Sequence, residues 1–310
     1  MIGTVTFLER EVQRRVGDPA FDQLADMFDE TLPEPGAHDR LAAMQDVAAR
    51  HWDFRKGAER QETAWDTHEL ADPDTTVGRE IFRHTGQLGL VASTHPILPK
   101  YKVLGETGAA NKAPCQRFQY GVEQGVAFDH AVLLGSTRPI TSDSERQKSA
   151  EYAPGAVTEF DLMCGAAQKV LGVREYEELR PRDVGYLFEG EARVRQYEAE
   201  DGTRVSVLDA PAPMGKKRAN TGDTYKFMRE YMCDELDNET DVLFSTNAFY
   251  KPAQHIGALI DITLATGAHV ETIGFDAAYG GVERLPTQLL QETKSYIDAL
   301  GRLEAELSLP

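Results

Sequence analysis

The residues able to do chemistry in this 310-residue chain lie in short polar runs that directly follow apolar ones. Gly105-Glu106-Thr107-Gly108 follows Tyr101–Leu104, and Gly135-Ser136-Thr137-Arg138 follows Ala131–Leu134. Asp209-Ala210-Pro211 follows Val205–Leu208, and Ser245-Thr246-Asn247 follows Val242–Phe244 and leads into Tyr250-Lys251. Glycine and small hydroxyl or amide residues at such places let a ligand approach the backbone. Arg117 and Arg138 add planar guanidinium forks that match a phosphate or carboxylate. The triplet Lys216-Lys217-Arg218 precedes Asn220-Thr221 and a helix-period segment. Free N–H groups and the dipole at a helix start favour an anion there, though a solubilising loop explains the triplet equally well. Glu159, in the first turn of a helix, and Asp209, at a strand end, are the candidate proton-transfer groups. Their plainer readings are a dipole-stabilising cap and a turn-initiating aspartate. The candidate ligand-binding set is Gly105, Arg117, Gly135, Ser136, Thr137, Arg138, Lys217, Asn220, Thr221, Thr246, Asn247, Tyr250 and Lys251.

Other chemistries lack their residues. Cys115, Cys164 and Cys233 form no CxxC pair, so reduced thiols are expected. Of the three, only Cys115 is a nucleophile candidate, because it reads as loop and lies two residues before Arg117. The eight histidines form no HExxH or other close pair, and no metal site is expected. A GxGxxG fingerprint after the first strand, a GxxxxGK[ST] loop and a GxSxG elbow are all absent. That disfavours a standard nicotinamide dehydrogenase, a P-loop NTPase and an α/β-hydrolase.

The elements that must position these residues follow from periodicity. Residues 1–95 read as a helical N-terminal extension. Phe21, Leu24 and Phe28 share one stripe; Leu41, Met44, Val47 and Trp52 share another; Pro33-Glu34-Pro35-Gly36 separates the two. His95-Pro96 and Leu98-Pro99 mark a boundary. Residues 96–310 read as an α/β domain. Its strands are the four apolar runs above and Val270–Ile273, each short and continuously apolar, as strands covered on both faces are. Thr158 with Asp161 forms a capping-box variant, Thr221 precedes a helix, Pro252 fits the first turn of another, and Gly267 fits its end. Asp201-Gly202 is a hairpin signal, so residues 185–203 read as an antiparallel insertion. The expected fold is a Rossmann-like three-layer α/β domain with a mostly parallel sheet of about five strands. In such a sheet ligands bind beyond the carboxyl ends of the strands, where the polar runs lie.

Composition narrows the partners. The formal net charge of −18 repels nucleic acid and anionic membrane surfaces. No apolar stretch reaches the length of a membrane span, and the first residues lack a secretory pattern. A cytoplasmic protein with a small anionic ligand is expected.

The order of the pieces resembles the YdcF/SanA/ElyC-like proteins, a bacterial family of Rossmann-like domains, over about residues 100–275. Gly105 with Arg117 matches the family's first element, and Gly135-Ser136 with Glu159 its second. Asn220-Thr221 matches the third, and Ser245-Thr246-Asn247-Ala248-Phe249-Tyr250-Lys251-Pro252 the fourth in outline. Tyr250 stands where that family has His, and Ala253 where it has Arg. The resemblance implies a Rossmann-like fold and a site for a nucleotide-like or phosphorylated ligand. Two functions follow as expectations. One is an enzyme, a transferase or hydrolase, acting on such a substrate. The other is a non-catalytic or regulatory module recognising S-adenosylmethionine or a nucleotide, which the missing His favours.

Overall fold

A computed structural model describes residues 2–57, 63–109, 112–179, 188–189, 192–216 and 218–309. The chain divides into two compact units. The first comprises Met1–Ser93, Asn247–Ile260 and Gly274–Pro310; the second comprises Thr94–Thr246 and Asp261–Ile273.

In chain order the elements begin with helices α1 (Ile2–Val16), α2 (Pro19–Asp26), α3 (Arg40–His51) and α4 (Thr76–Gln87). Then come β1 (Lys100–Thr107), α5 (Ala113–Glu123), β2 (Ala127–Ser136), α6 (Asp143–Ser149) and α7 (Glu159–Leu171). The strands β3 (Tyr176–Leu179), β4 (Phe188–Glu189), β5 (Arg193–Glu198), β6 (Arg204–Ala210) and β7 (Ala212–Pro213) lead to α8 (Thr221–Tyr231) and β8 (Asp241–Asn247). The chain closes with α9 (Lys251–Ala258), α10 (Leu264–Thr266), β9 (His269–Phe275), α11 (Ala277–Gly280) and α12 (Pro286–Leu307).

The first unit is helical. Its stripes from α2 and α3 (Phe21, Leu24, Leu41, Met44, Val47) are buried, as are Leu289, Leu290, Ile297, Leu300 and Leu303 of α12. The long helix α12 packs against α1, α3, α4 and α9. Buried Arg40 joins the segments: its Nε donates to Val16 O at 2.9 Å, and its two terminal nitrogens grip both oxygens of Asp22 at 2.9 Å. A bidentate guanidinium pair of this kind holds direction as well as distance.

The second unit is built on a seven-stranded sheet in the order β3-β5-β6-β2-β1-β8-β9. β1 pairs parallel with both β2 and β8, and β2 pairs parallel with β6. β5 runs antiparallel to β6, and β3 antiparallel to β5. The five expected strands are all present, but the sheet is wider than expected because Arg193–Glu198 turns back at Asp201-Gly202 and brings Tyr176–Leu179 with it. Part of the expected insertion, residues 185–187 and 190–191, lies outside the described residues. β4 and β7 form a separate antiparallel pair. Thr158 and Asp161 make the reciprocal capping box at the start of α7, and Gly267 ends α10 at φ 83°. Thr221 is the first residue of α8 itself; the cap is Asn220. Among the described residues no helix is long and apolar enough to cross a membrane.

Glycines at the sheet centre are needed for packing. A Cβ on Gly105 would lie 2.3 Å from the Phe244 ring on the neighbouring strand. One on Gly135 would meet Met163 Cγ at 3.0 Å and the backbone of Phe160 at 3.1 Å. Gly105→Ala is therefore expected to destabilise the protein by ~1–3 kcal/mol through overpacking. Adding Phe244→Leu should recover part of the loss, as read by thermal melting of the single and double variants.

Candidate functional site

The site is assembled by the loop that leaves β2. Pro139 bridges to Thr158, Ile140 N–H donates to Val157 O at 2.9 Å, and Glu159 N–H donates to Arg138 O at 2.9 Å. These bonds and the capping box make Glu159 the first residue of α7 and turn its side chain back onto the end of β2. There Ser136 Oγ donates to Glu159 Oε2 at 2.5 Å, and Arg138 Nε stands 4.0 Å from Oε1. Arg138 also donates to Glu145 Oε1 at 2.6 Å. The loop after β1 passes over the carboxyl at Gly108, where a Cβ would sit 3.2 Å from Glu159 Oε1 and 2.3 Å from Leu134 O. Only glycine allows that passage.

Burial dominates the titration of Glu159 and raises it above the ordinary carboxylate range. The Ser136 hydrogen bond and the Arg138, Arg218 and Arg117 guanidinium charges pull it down by less. The second carboxyl in this field is Glu106, at the end of β1. It is fully buried, and neither of its oxygens has a hydrogen-bond partner. Burial lifts it well above its usual value; Arg117 opposes the shift and Glu159 adds to it. Burial without a hydrogen-bond donor thus favours the neutral form of Glu106.

Arg117 lies on α5, buried, and donates to Thr107 O at 2.5 Å, to Thr107 Oγ1 at 3.1 Å and to Gly108 O at 3.1 Å. Its own carbonyl accepts from Ser245 Oγ at 2.6 Å, which ties the ends of β1 and β8 together. Asp209 ends β6 beneath a different partner: Arg193 Nε donates to its Oδ2 at 2.7 Å, while buried Oδ1 has no partner. Burial raises Asp209, Arg193 lowers it, and Asp161 raises it further. The carboxyl coupled to Glu159 is thus Glu106, while Asp209 is coupled to Asp161.

The remaining candidates are distributed as follows. Gly105 and Gly135 face Phe244 and the α7 side chains described above. Thr137 is exposed and Thr246 buried. Asn220 and Thr221 start α8, where Asn220 Oδ1 accepts from Asp223 N–H at 3.1 Å. Lys216 Nζ lies 3.5 Å from Asp223 Oδ2, and Arg218 contributes to the field at Glu159. Lys217 lies outside the described residues. Asn247, Tyr250 and Lys251 belong to the first unit. Cys115, expected in a loop, is in the first turn of α5, and burial pushes its thiol up to about 11, which removes it as a nucleophile candidate. Glu106 was missed as a site residue. Its signal was an acidic residue continuing an apolar strand run, a position that demands either a partner or neutralisation.

Residues 4–80 match the family model described as the Rv3785 N-terminal domain. The uncharacterized protein Rv3785 of Mycobacterium tuberculosis H37Rv is 30% identical over 236 residues, covering 71% of this chain and 65% of that protein. The uncharacterized protein Mb3814 of Mycobacterium bovis is similar to the same extent. The chain thus spans 65% of the length of these curated relatives. No solved structure matches it. These matches overturn the resemblance to the YdcF/SanA/ElyC-like proteins. That resemblance rested on glycine, serine and threonine at strand ends, which a parallel sheet with tight crossover turns selects for its own backbone geometry.

Because Glu106 and Glu159 titrate higher in the fold than their ordinary value near 4.5, their contribution to stability is complete below that value and is lost as pH rises through the folded values. Glu106→Met, an apolar replacement of similar length, is expected to raise the melting temperature at pH 8 and to flatten its decline between pH 5 and pH 9. A steeper decline in the variant would contradict the assignment of Glu106 as a buried neutral acid. Ser136→Ala leaves Glu159 Oε2 without its donor and should cost ~1–3 kcal/mol, measured by denaturant titration.

Proposed function

We propose that the second unit is an enzymatic domain acting on a small anionic, nucleotide-like or phosphorylated substrate by transfer or hydrolysis. The observation that carries this reading is the Glu159 carboxyl. It keeps its proton to higher pH through burial while guanidinium groups stand around it, with Arg138 Nε at 4.0 Å. A proton donor beside cations suits a reaction in which the substrate's anionic group is held and its leaving oxygen is protonated. In this reading Arg138 and Arg218 attract the anion, Ser136 orients Glu159, and Arg117 fixes the strand ends beneath them.

The topology supports the same reading. Numbered along the chain, the strands from β6 to β9 stand in the order 3-2-1-4-5, the order of a Rossmann-like sheet, whose ligands bind outside the carboxyl ends where the order reverses. That reversal falls between β1 and β8, the two strand ends joined by Arg117. The alternative is a module that binds S-adenosylmethionine or a nucleotide without catalysis. It is favoured by the engagement of Arg117 with backbone carbonyls and of Arg138 with Glu145.

A thermal-shift screen with nucleotides, S-adenosylmethionine and sugar phosphates, followed by product analysis, separates the two. The enzyme reading expects a stabilising phosphorylated ligand and product formation. It also expects a loss of about 10²–10⁴-fold in turnover for Glu159→Gln with binding retained. Stabilisation without product after long incubation favours the module. Undiminished turnover in Glu159→Gln removes that residue from the mechanism.

A further inference from the structure

The first unit holds a cavity of about 40 Å³. Asn247, the last residue of β8, and Phe275, the last of β9, border it, together with residues of α4, α11 and the start of α12. Its walls are apolar: Phe82, Leu90, Phe249, Phe275 and Leu289. Exposed Ala277 and Val282 stand at its mouth. Gly280 keeps the space open. A Cβ there would lie 3.0 Å from Phe275 Cε2 and 3.9 Å from Asn247 Nδ2, between two residues that line the cavity. Size restricts the guest. The cavity exceeds the ~10–15 Å³ that one water needs and falls well short of the ~150 Å³ that accepts benzene. It has room for an alkyl group of a few carbons and none for an aromatic ring.

Three polar side chains border this apolar space: Asn247, Asp276 and Arg284. Arg284 Cζ stands over the Phe249 ring, 4.5 Å from its centroid. The ring attracts the guanidinium by its charge and takes none of its five N–H donors. Asp276 is fixed through both backbone and side chain. Its main-chain N–H donates to Ser93 Oγ at 2.9 Å, and its Oδ1 accepts from Tyr279 N–H at 3.0 Å. A carboxylate accepts several hydrogen bonds, so this cap leaves Asp276 able to receive an ammonium as well. One cation and one anion thus border a void of alkyl size. A plain hydrocarbon would match neither charge. An alkyl carboxylate would match Arg284 and meet Asp276 with like sign, and an alkylamine would do the reverse. A short zwitterion matches both.

We propose that this cavity binds a small aliphatic α-amino acid such as valine. The branched side chain fills the apolar space, the carboxylate accepts from the Arg284 fork, and the ammonium donates to Asp276. The Asn247 amide, with both a donor and an acceptor, serves either end of the zwitterion. An apolar pocket with a few convergent polar groups is the usual form of a small-molecule site. Every lining residue belongs to the first unit, and the inference is independent of the site in the second.

The test is calorimetric titration of the full chain with four probes. These are L-valine, 3-methylbutanoate, which lacks the ammonium, 2-methylpropylamine, which lacks the carboxylate, and L-phenylalanine. Valine is expected to saturate a single site and to bind at least about tenfold more tightly than either truncated analogue, since each loses a charge-assisted hydrogen bond. Phenylalanine should not bind. Arg284→Gln should weaken valine and leave 2-methylpropylamine unchanged. Asp276→Asn, which keeps a capping oxygen for Tyr279, should weaken valine and leave 3-methylbutanoate unchanged. Gly280→Ala should abolish valine binding. Absence of saturable valine binding up to about 10 mM overturns the proposal on the unmutated protein alone. Equal affinity for valine and 3-methylbutanoate makes the site one for simple carboxylates, and equal affinity for phenylalanine removes the size restriction; either result overturns the amino-acid assignment.

Discussion

Taking carboxyl groups out of water at the end of a parallel sheet is the constraint on which the second unit turns. An ionised carboxylate loses several kcal/mol of hydration on burial unless charges and donors replace it. Glu159 receives part of that replacement from Ser136 and the nearby guanidinium groups, and Glu106 receives less. Burial raises the titration of both. Carboxyl groups and guanidinium charges thereby stand side by side away from water.

Much of the surrounding structure serves that placement. Arg117 uses its guanidinium on the carbonyls that end β1, and its own carbonyl receives Ser245 from β8. The reciprocal cap of Thr158 and Asp161 fixes where α7 begins, so that Glu159, one residue later, has a set direction. Gly108 keeps the path over the carboxyl open. Together these contacts limit how far Glu159 can move.

The same physics operates elsewhere with other residues. His130 is buried beside Ser206, its Nε2 2.8 Å from the hydroxyl oxygen, and burial lowers its imidazole to about 3. It is a neutral hydrogen-bonding group inside the sheet. In the first unit burial, and then the charge of Arg15, lowers the Lys251 amine. Ionisable groups in this protein take their chemical character from the charges and solvent withheld from them.

The apolar runs, the capping box at Thr158 and the helical stripes of the first ninety or so residues were legible in the sequence. Each follows from local periodicity or from contacts within a few residues. The polar runs at strand ends were legible as well, but they misled the family reading, because turn geometry alone recruits glycine, serine and threonine. Cys115 read as loop because Pro114 and the residues before it break the pattern, whereas proline in a first turn opens α5. By itself the sequence determined the five apolar strands and the capped start of α7, since hydrophobic spacing and caps act along the chain. Only the tertiary structure decided that Glu106 shares the electrostatic field of Glu159 and that Asp209 instead meets Arg193. Desolvation and Coulomb coupling depend on distances through space between residues far apart in the chain, and no local pattern records them.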